Sequence, residues 1–365
     1  MNPAITAISY VTGEERLTSA ELVSRFGAEA MKKIESISGI LERRIAGKNI
    51  CASDLALKST ELLFEKKPHL REEIDLLIFA TQTPDYMMPT TACIMQDRLR
   101  LKKSCATFDI NLGCSQFPYA IATAMSWINS GLVKKALVIN ADTPSKLIHP
   151  LDKSAVSLFG DASATILIEQ TSKKSFIDFE FGSDGSGFEN LICPTSGMRK
   201  PRTSEDEIEI KDDDGNIRTN ANMFINGFSI FAFAYKAIPE TITKLLNKNS
   251  LTIDDIDLFV FHQAGEMMVS SSAKRLKIPP SKLYFKMHDI GNCGGASIPI
   301  ALADAVKNGR LKNGMRIVVC AFGVGLSWGA SIIDWSDDFQ LALTSDDYSN
   351  SPAKPQSQRY ADIQV

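Results

Sequence analysis

The sequence has no run of the roughly 18 to 20 uninterrupted apolar residues that a membrane-spanning helix needs. Its first residues also lack a basic segment followed by an apolar core, the pattern of a secretory signal. Lysine and arginine form no long block and the formal net charge is -3, which disfavours a sequence-independent nucleic-acid surface. These absences predict a cytoplasmic protein that neither inserts into a membrane nor binds nucleic acid.

Disulfide and metal patterns are absent as well. The seven cysteines include no Cys-x-x-Cys pair, and an odd number in a long chain favours reduced thiols over a disulfide framework. Only four histidines occur, and none has the spacing of a zinc ligand. We therefore expect free thiols and no metal site.

The chain does contain an internal repeat. The segment EIDLLIFATQ (73–82) resembles DIDLFVFHQA (255–264) at an offset of 182 residues, and both fit a strand buried on two faces. Further on, 117–140 resembles 298–321, an alanine-rich helix followed by another strand. The equal order and spacing favour two copies of one α/β unit, although buried strands and alanine-rich helices look alike in many α/β proteins.

The repeat predicts a division into halves, 1–175 and 176–335, each with mostly parallel strands covered by helices. The segment 182–222 is polar and rich in turn residues, so we expect a solvent-facing excursion between the halves. The tail 336–365 loses periodicity and gains Ser, Pro, Gln and Asp, and is expected to be poorly ordered.

Cys114 is a candidate nucleophile because it stands where an extended run ends and an alanine-rich helical pattern begins. Unpaired N–H groups at a helix N-terminus stabilise a thiolate and lower a cysteine pKa. Gly113 lets the backbone turn sharply, which frees the Cys114 N–H for a developing oxyanion. The alternative is an inert buried thiol, the more common role of an unpaired cysteine.

Two further polar residues occupy comparable positions. His262 ends an apolar strand, where open α/β sheets place catalytic groups, and its counterpart in the first copy is Ala80. Asn292 lies in a glycine-rich turn that opens an alanine-rich helix, near the place of Cys114 in the other copy. A satisfied core histidine and a capping asparagine are the alternatives.

Together these segments resemble the signatures of a known enzyme family. GCSQFPYAI (113–121), FHQA (261–264), GNCGGASIP (291–299) and FGVGLSWGASI (322–332) are similar to segments of ketoacyl-ACP synthase III, a condensing enzyme of the thiolase fold. GILERRIA (39–46) and LFGDASATILI (158–168) resemble two supporting motifs. The resemblance covers about residues 1 to 335.

The resemblance implies an α/β thiolase-like fold, with two duplicated halves stacked as an α-β-α-β-α sandwich. It also implies that Cys114 takes an acyl group from acyl-CoA or acyl-ACP, and that His262 and Asn292 hold the enolate formed when a malonyl-ACP substrate loses carbon dioxide. The N–H groups of Cys114 and Gly325 would form the oxyanion hole, and Phe322 an apolar wall. No cofactor is implied beyond these thioester carriers, and a homodimer is expected.

Five other positions are assigned to substrate binding by the same resemblance: Met88, Lys153, Leu158, Phe231 and Gly265. Met88 would reach across the dimer into the partner's acyl pocket and set chain length with Leu158 and Phe231. Lys153 would place a cation at the mouth, and Gly265 stands where the family has a backbone-binding asparagine.

Other positions depart from the family pattern. Lys33 and Ile37 replace the usual tryptophan and arginine that hold the CoA adenine, and Met267 replaces a basic carrier-docking residue. These changes indicate a specialised pathway, in fatty-acid, polyketide or surface-glycan synthesis, with a different donor carrier. Two alternatives stay open: acyl transfer to an oxygen, nitrogen or carbon acceptor without decarboxylation, and an inactive scaffold paired with another condensing enzyme.

Overall fold

The computed structural model describes residues 2–172, 176–336 and 338–344. The helices are α1 Ser19–Phe26, α2 Ala28–Ser38, α3 Ala52–Lys66, α4 Leu70–Glu73, α5 Thr91–Arg98, α6 Gln116–Asn129, α7 Lys153–Val156, α8 Gly227–Lys248, α9 Glu266–Arg275 and α10 Ser297–Lys307. Within the described ranges, every helix falls short of the length and apolarity needed to span a bilayer.

The strands are β1 Asn2–Thr12, β2 Glu15–Thr18, β3 Glu42–Ile45, β4 Leu76–Ala80, β5 Ala106–Ile110, β6 Lys135–Asp142, β7 Ala162–Thr171, β8 Ile177–Ser183, β9 Leu191–Ile192, β10 Ile210–Lys211, β11 Ile217–Arg218, β12 Phe224–Ile225, β13 Leu258–Phe261, β14 Arg316–Gly323, β15 Ser327–Asp334 and β16 Leu341–Thr344. Two larger sheets have the orders β16-β1-β7-β6-β4-β5 and β13-β14-β15-β8. Strand β4 is parallel to β5 and β6, and β13 is parallel to β14.

Three apolar clusters show how the layers stack. Helices α3 and α5 pack on the outer face of the first sheet, and α8 and α9 on the outer face of the second. The largest cluster joins the inner faces of both sheets through α6 and α10. The result is the five-layer α-β-α-β-α sandwich that the resemblance implied, with a central helical layer shared by the two sheets.

The repeated unit inferred from the sequence is present. In the first copy β4 lies beside β6, and in the second β13 lies beside β14. A one-turn 3₁₀ segment precedes the central helix in each copy, Gly113–Ser115 before α6 and Gly294–Ala296 before α10. The two turns pack against each other, so the copies meet at equivalent points.

Two expectations need correction. The excursion 182–222 is only partly solvent-facing. Its residue Leu191 and the adjoining Met223 are buried and line a cavity. The tail begins with an ordered strand, since β16 runs parallel to β1 at the sheet edge. Residues 345–365 lie outside the described part of the chain, as does Ser175, where the first half is predicted to end.

Candidate active site

Cys114 lies in the 3₁₀ turn that connects β5 to α6. The turn requires glycine at Gly113, whose φ is +58° and where a Cβ would stand 2.3 Å from the side-chain carbon of Gln82. The Ser115 hydroxyl donates to the Leu112 carbonyl at 2.9 Å and lies 2.6 Å from the Ser327 hydroxyl. These contacts fix the nucleophile between the two copies.

The thiol also faces the end of β14. A Cβ at Gly323 would lie 2.7 Å from Cys114 Cβ and 3.3 Å from its Sγ. Glycine is therefore needed there for a steric reason, since any side chain would push the cysteine away.

His262 follows β13, and its backbone N–H donates to the Cys320 carbonyl at 2.8 Å. The imidazole stands edge-on to Phe322, with ring centroids 5.4 Å apart. Burial lowers the pKa of His262 to about 3, so the ring is neutral at physiological pH. Its Nδ1 is buried and has no hydrogen-bond partner among the described residues.

Asn292 is held by its backbone on both sides. Its N–H donates to the Leu158 carbonyl at 2.8 Å, and its carbonyl accepts from the Gly160 N–H at 3.0 Å. The side-chain oxygen accepts from the Gly294 N–H at 3.0 Å. Because the oxygen is occupied in this way, the orientation of the amide is set and its Nδ2 is the group left for a substrate.

Contacts link the three candidate residues, although only Cys114 lines the cavity described below. Cys114 abuts Gly323, the His262 ring abuts Phe322 one residue earlier, and the turn after Asn292 packs on the turn that carries Cys114. The equivalence of the two copies explains these contacts, because matching strand ends and helix starts meet at the shared layer.

A cavity of about 320 Å³ opens over Cys114. Its apolar lining comprises Pro144, Leu147, Phe159, Phe188, Leu191, Ile192, Met223 and Val324. Its polar lining comprises Gln82, Thr83, Asn111 and Asp142, and Gly294 and Gly325 complete the wall near the thiol. A thiol in a largely apolar pocket with a few polar groups suits an acyl chain bound as a thioester.

Comparison with known sequences now decides the family. A sequence profile described as 3-oxoacyl-[acyl-carrier-protein (ACP)] synthase III matches residues 108–185, and the profile of its C-terminal part matches 246–335. The chain is 34% identical over 328 residues to beta-ketoacyl-[acyl-carrier-protein] synthase III of Clostridium acetobutylicum, covering 90% of this chain and 97% of that one. The enzyme of the same name from Clostridium tetani is 38% identical over 304 residues, 83% of this chain and 89% of that one. The chain belongs to the ketoacyl-ACP synthase III family.

Solved structures of this family agree with the fold. A crystal structure of 3-oxoacyl-(acyl-carrier-protein) synthase III superposes with a TM-score of 0.89 at 34% identity, covering 92% of this chain and all of that one. The 3-oxoacyl-(acyl-carrier protein) synthase of Burkholderia xenovorans gives 0.87 at 31% identity, covering 94% and 97% of the two chains. This ketoacyl-ACP synthase III therefore has the thiolase-like fold and is an acyl-transferring condensing enzyme.

The thiol of this ketoacyl-ACP synthase III differs in one respect from the sequence-based expectation. Burial, together with the carboxylate of Asp142, raises the pKa of Cys114 to about 12. The thiol's own backbone N–H and the start of α6 act in the opposite direction, but they do not outweigh burial. The resting enzyme therefore holds a neutral thiol, and the expected thiolate is not its ground state.

Asp142 is a site residue that the sequence interpretation missed. It ends β6 and lines the cavity beside Cys114. Burial raises the pKa of Asp142 to about 6, against the hydrogen bonds that it accepts. A signal was available, because an acid directly after the apolar run ALVINA occupies the same kind of strand end that singled out His262.

The predicted substrate-binding residues are absent from the lining of the cavity. Leu158 supports Asn292 through its carbonyl, and Phe231 stacks on the exposed Tyr235 with centroids 6.1 Å apart. Lys153 donates to the Asp214 carbonyl of the excursion. Gly265 is buried at the start of α9, next to Ser38.

Met88 is 81% exposed on the surface of this chain. Phe322 is buried against His262, as described above, and is also absent from the cavity wall. The walls instead come from the excursion and from the segment after β6, which carry the apolar residues Phe188, Leu191 and Leu147. Family analogy placed Cys114 at the cavity but did not identify the side chains that line it, because many of these belong to irregular segments.

Proposed function

We propose that this enzyme loads an acyl group from a thioester onto Cys114 and condenses it with a malonyl thioester, with loss of carbon dioxide. The observation that supports the proposal is the Cys114 thiol, which lines a largely apolar cavity and lies in a turn that packs on the turn after Asn292, while His262 contacts Phe322. An acyl thioester of moderate length matches the volume and the lining of that cavity.

In the loading step, Cys114 Sγ attacks the carbonyl carbon of the donor thioester. The new S–C bond forms, the donor C–S bond breaks, and the carrier thiol leaves with the proton that the cysteine gives up. The N–H groups of Cys114 and Gly325 are assigned to the oxyanion, each donor being worth roughly 3 kcal/mol. Covalent storage divides a difficult transfer into two steps.

In the condensation step, the malonyl C–C bond breaks and its electrons form an enolate. The enolate carbon attacks the acyl carbonyl, the S–C bond to Cys114 breaks, and the thiol regains a proton. His262 and Asn292 Nδ2 are assigned as hydrogen-bond donors to the enolate oxygen. The neutral imidazole set by burial suits this task, because it donates without bringing a full charge into the cavity.

This mechanism needs no cofactor beyond the CoA or ACP thioesters. Among the described residues there is no group of three or more His, Cys, Asp and Glu side chains arranged to hold a metal ion. The substrates that we assign are an acyl-CoA or acyl-ACP donor and a malonyl-ACP or similar extender.

The surface around α2 and α9 supports a donor other than free CoA. Ile37 and Leu41 are exposed there, and Glu266 lies 3.2 Å from His288. Lys33 and Ile37 offer no aromatic ring on which an adenine could stack, although Lys32 and Lys33 are exposed cations on α2. We infer a specialised enzyme that prefers a protein-bound donor. Equal loading from acyl-CoA and acyl-ACP, with rescue of a strain lacking its fatty-acid initiator, would refute this.

Intact-protein mass spectrometry tests the proposed function. The wild-type enzyme is incubated with acyl-CoA and acyl-ACP thioesters of increasing chain length, and one accepted donor should add one acyl mass. The addition should disappear in Cys114→Ala and persist in Cys193→Ala, which removes the other thiol of the same cavity. Labelled malonyl thioester should then discharge the acyl group with release of carbon dioxide.

The contrary outcomes are distinct. An acyl mass that survives in Cys114→Ala places the acyl group elsewhere and contradicts the mechanism. Discharge without carbon dioxide identifies a non-decarboxylative acyltransferase. Absence of any addition across the panel supports an inactive scaffold.

A further inference from the structure

A single buried carboxylate connects three segments of the site. Asp142 Oδ1 accepts from the Gln82 backbone N–H at 2.7 Å, in the loop after β4. Its Oδ2 accepts from Gln116 Nε2 at 3.2 Å and from the Gly295 backbone N–H at 3.1 Å. Gln116 begins α6 two residues after Cys114, and Gly295 lies three residues after Asn292. The side chain thus ties the nucleophile turn to the asparagine turn.

The partners of this carboxylate require an acceptor at both oxygens. A backbone N–H and a side-chain amide N–H both point at Oδ2, and neither can accept a hydrogen bond in return. An ionised aspartate satisfies them, whereas an asparagine of the same shape would place an NH₂ against one set of donors. Leaving buried donors without an acceptor is costly, so the local geometry depends on the carboxylate.

We propose that Asp142 is a positioning residue that holds the Cys114 turn and the Asn292 turn at the separation needed for condensation. This inference rests on the proposed function and adds a residue to it. Loading does not use the Asn292 turn, whereas condensation needs the acyl thioester and the donors to the enolate at the correct separation. A misplacement of about 1 Å can cost roughly 100-fold in rate, so the second step is the sensitive one.

The carboxylate also acts on the thiol through its charge. The titratable groups that experience it are the thiols of Cys114 and Cys293, and in both the Asp142 charge raises the pKa. Replacing Asp142 by a neutral residue therefore makes Cys114 ionise more readily. Loosening of the fold would also expose the buried thiol and raise its reactivity, so the increase is assigned to the lost charge only if the control variant Asp161→Asn leaves alkylation of Cys114 unchanged.

The test is Asp142→Asn, measured in three assays on the full-length enzyme. Single-turnover acyl loading should stay within about threefold of wild type, whereas discharge by malonyl thioester should fall roughly 30- to 100-fold. Alkylation of Cys114 by iodoacetamide at pH 8, mapped by mass spectrometry, should rise roughly three- to tenfold. In Asp142→Asn the rate of condensation should therefore fall while the rate of loading stays nearly the same. The rate of Cys114 alkylation should rise.

Asp161→Asn is the matched control. Asp161 is also fully buried and accepts from the Ala46 N–H at 2.8 Å and the Ser145 N–H at 3.0 Å, and its carboxylate makes no hydrogen bond to α6 or to the Asn292 turn. Its replacement should lower stability while the ratio of loading to condensation stays at the wild-type value.

A second variant keeps the inference testable if Asp142→Asn fails to fold. Gln116→Met removes one donor from Oδ2 and leaves the carboxylate in place. It should lower condensation several-fold, with little change in loading or alkylation.

Several results would overturn the inference. If the rates of loading and condensation fall equally in Asp142→Asn, Asp142 has only a general structural role. A decrease in the rate of Cys114 alkylation would lead to the same conclusion. Unchanged condensation in a folded variant would remove the residue from the mechanism. Failure of the wild type to accept any thioester would instead contradict the proposed function. The alkylation assay needs no acyl donor and would still decide whether Asp142 acts on the thiol.

Discussion

The buried imidazole of His262 makes the stability of the folded protein depend on pH. The ring is almost fully buried and neutral when folded, with a pKa near 3, whereas in the unfolded chain it titrates at its ordinary value of 6.5. Below pH 6.5 the unfolded chain therefore binds a proton that the folded chain does not. Stability is lost as the pH falls from 6.5 towards 3, because protonation favours the unfolded state.

Replacing His262 by Phe should remove that dependence. Lowering the pH from 7.5 to 4.5 should cost the wild type about 2 kcal/mol more free energy of unfolding than it costs His262→Phe. Urea denaturation at the two pH values measures the difference. The control is His288→Phe, which replaces a half-exposed ring and should lose as much free energy of unfolding as the wild type between the two pH values. If His262→Phe also loses as much as the wild type, the buried ring is not responsible.

Individual residues were predictable where one copy of the repeat differs from the other. His262 was identifiable because its counterpart is Ala80, and Cys114 because it stands at a strand-to-helix junction. The neutral state of the thiol could not be predicted, since it depends on burial and on a carboxylate 28 positions further along the chain. Asp142 itself required knowledge of which loops its strand end would meet.

Among the elements, the excursion differs most from its sequence-based interpretation. Most of its charged residues are exposed, but Asp206 is buried. Arg218 turns inward to Asp152 at 3.2 Å and lies over the Phe224 ring at 5.2 Å. The Ile217 N–H also donates to the Leu151 carbonyl at 3.2 Å. The composition of the excursion correctly indicated a polar loop. It could not show that apolar residues of this loop line the cavity over Cys114.

Arg218→Met should loosen this wall. The Asp152 side chain is 1% exposed, and a buried carboxylate that loses its cation is destabilising. Trypsin cleavage between residues 199 and 211 should accelerate tenfold or more, and the KM for the acyl donor should rise. Glu207→Gln, which weakens an exposed pair with Arg202 without removing a cleavage site, is the control and should leave both quantities unchanged. Equal proteolysis of the two variants would exclude Arg218 as the anchor.

For the whole molecule, the first sheet ends at β5, which has a sheet partner on one side only within the described residues. Tyr86, Met87 and Met88 are exposed, and Tyr86 and Met87 line a shallow depression together with Phe108 of β5. An open strand edge with adjoining apolar side chains favours pairing with another chain. The homodimer expected from family resemblance stays a prediction, and we propose this edge as its interface.

Light scattering after size exclusion should give the mass of two chains of 40.0 kDa. Joint replacement of Met87 and Met88 by Asp should shift the enzyme to one chain, because two charges would be buried in the interface. Met198→Asp, at a methionine that is 80% exposed on the excursion, should remain dimeric. A wild-type mass of one chain would contradict the interface and the reach of Met88 into a partner.

The layer order of the molecule followed from the repeat and the family resemblance, whereas the strand contributed by the tail did not. Strand β16 joins the first sheet although it follows the second in sequence. Its four residues are too few to predict that pairing from the sequence. We propose the halves 1–175 and 176–335 as the repeat units, with this strand as an addition to the first.

The helices α6 and α10 belong to one apolar cluster that takes residues from both sheets. Each repeat has an apolar cluster of its own on the outer face of its sheet, but the cluster on its inner face is shared with the other repeat. Recombination between homologues at the midpoint would therefore join two unmatched surfaces along the centre of the protein. An engineer who wants a new acyl specificity is better served by exchanging the excursion, whose junctions lie at the periphery, than by exchanging a half.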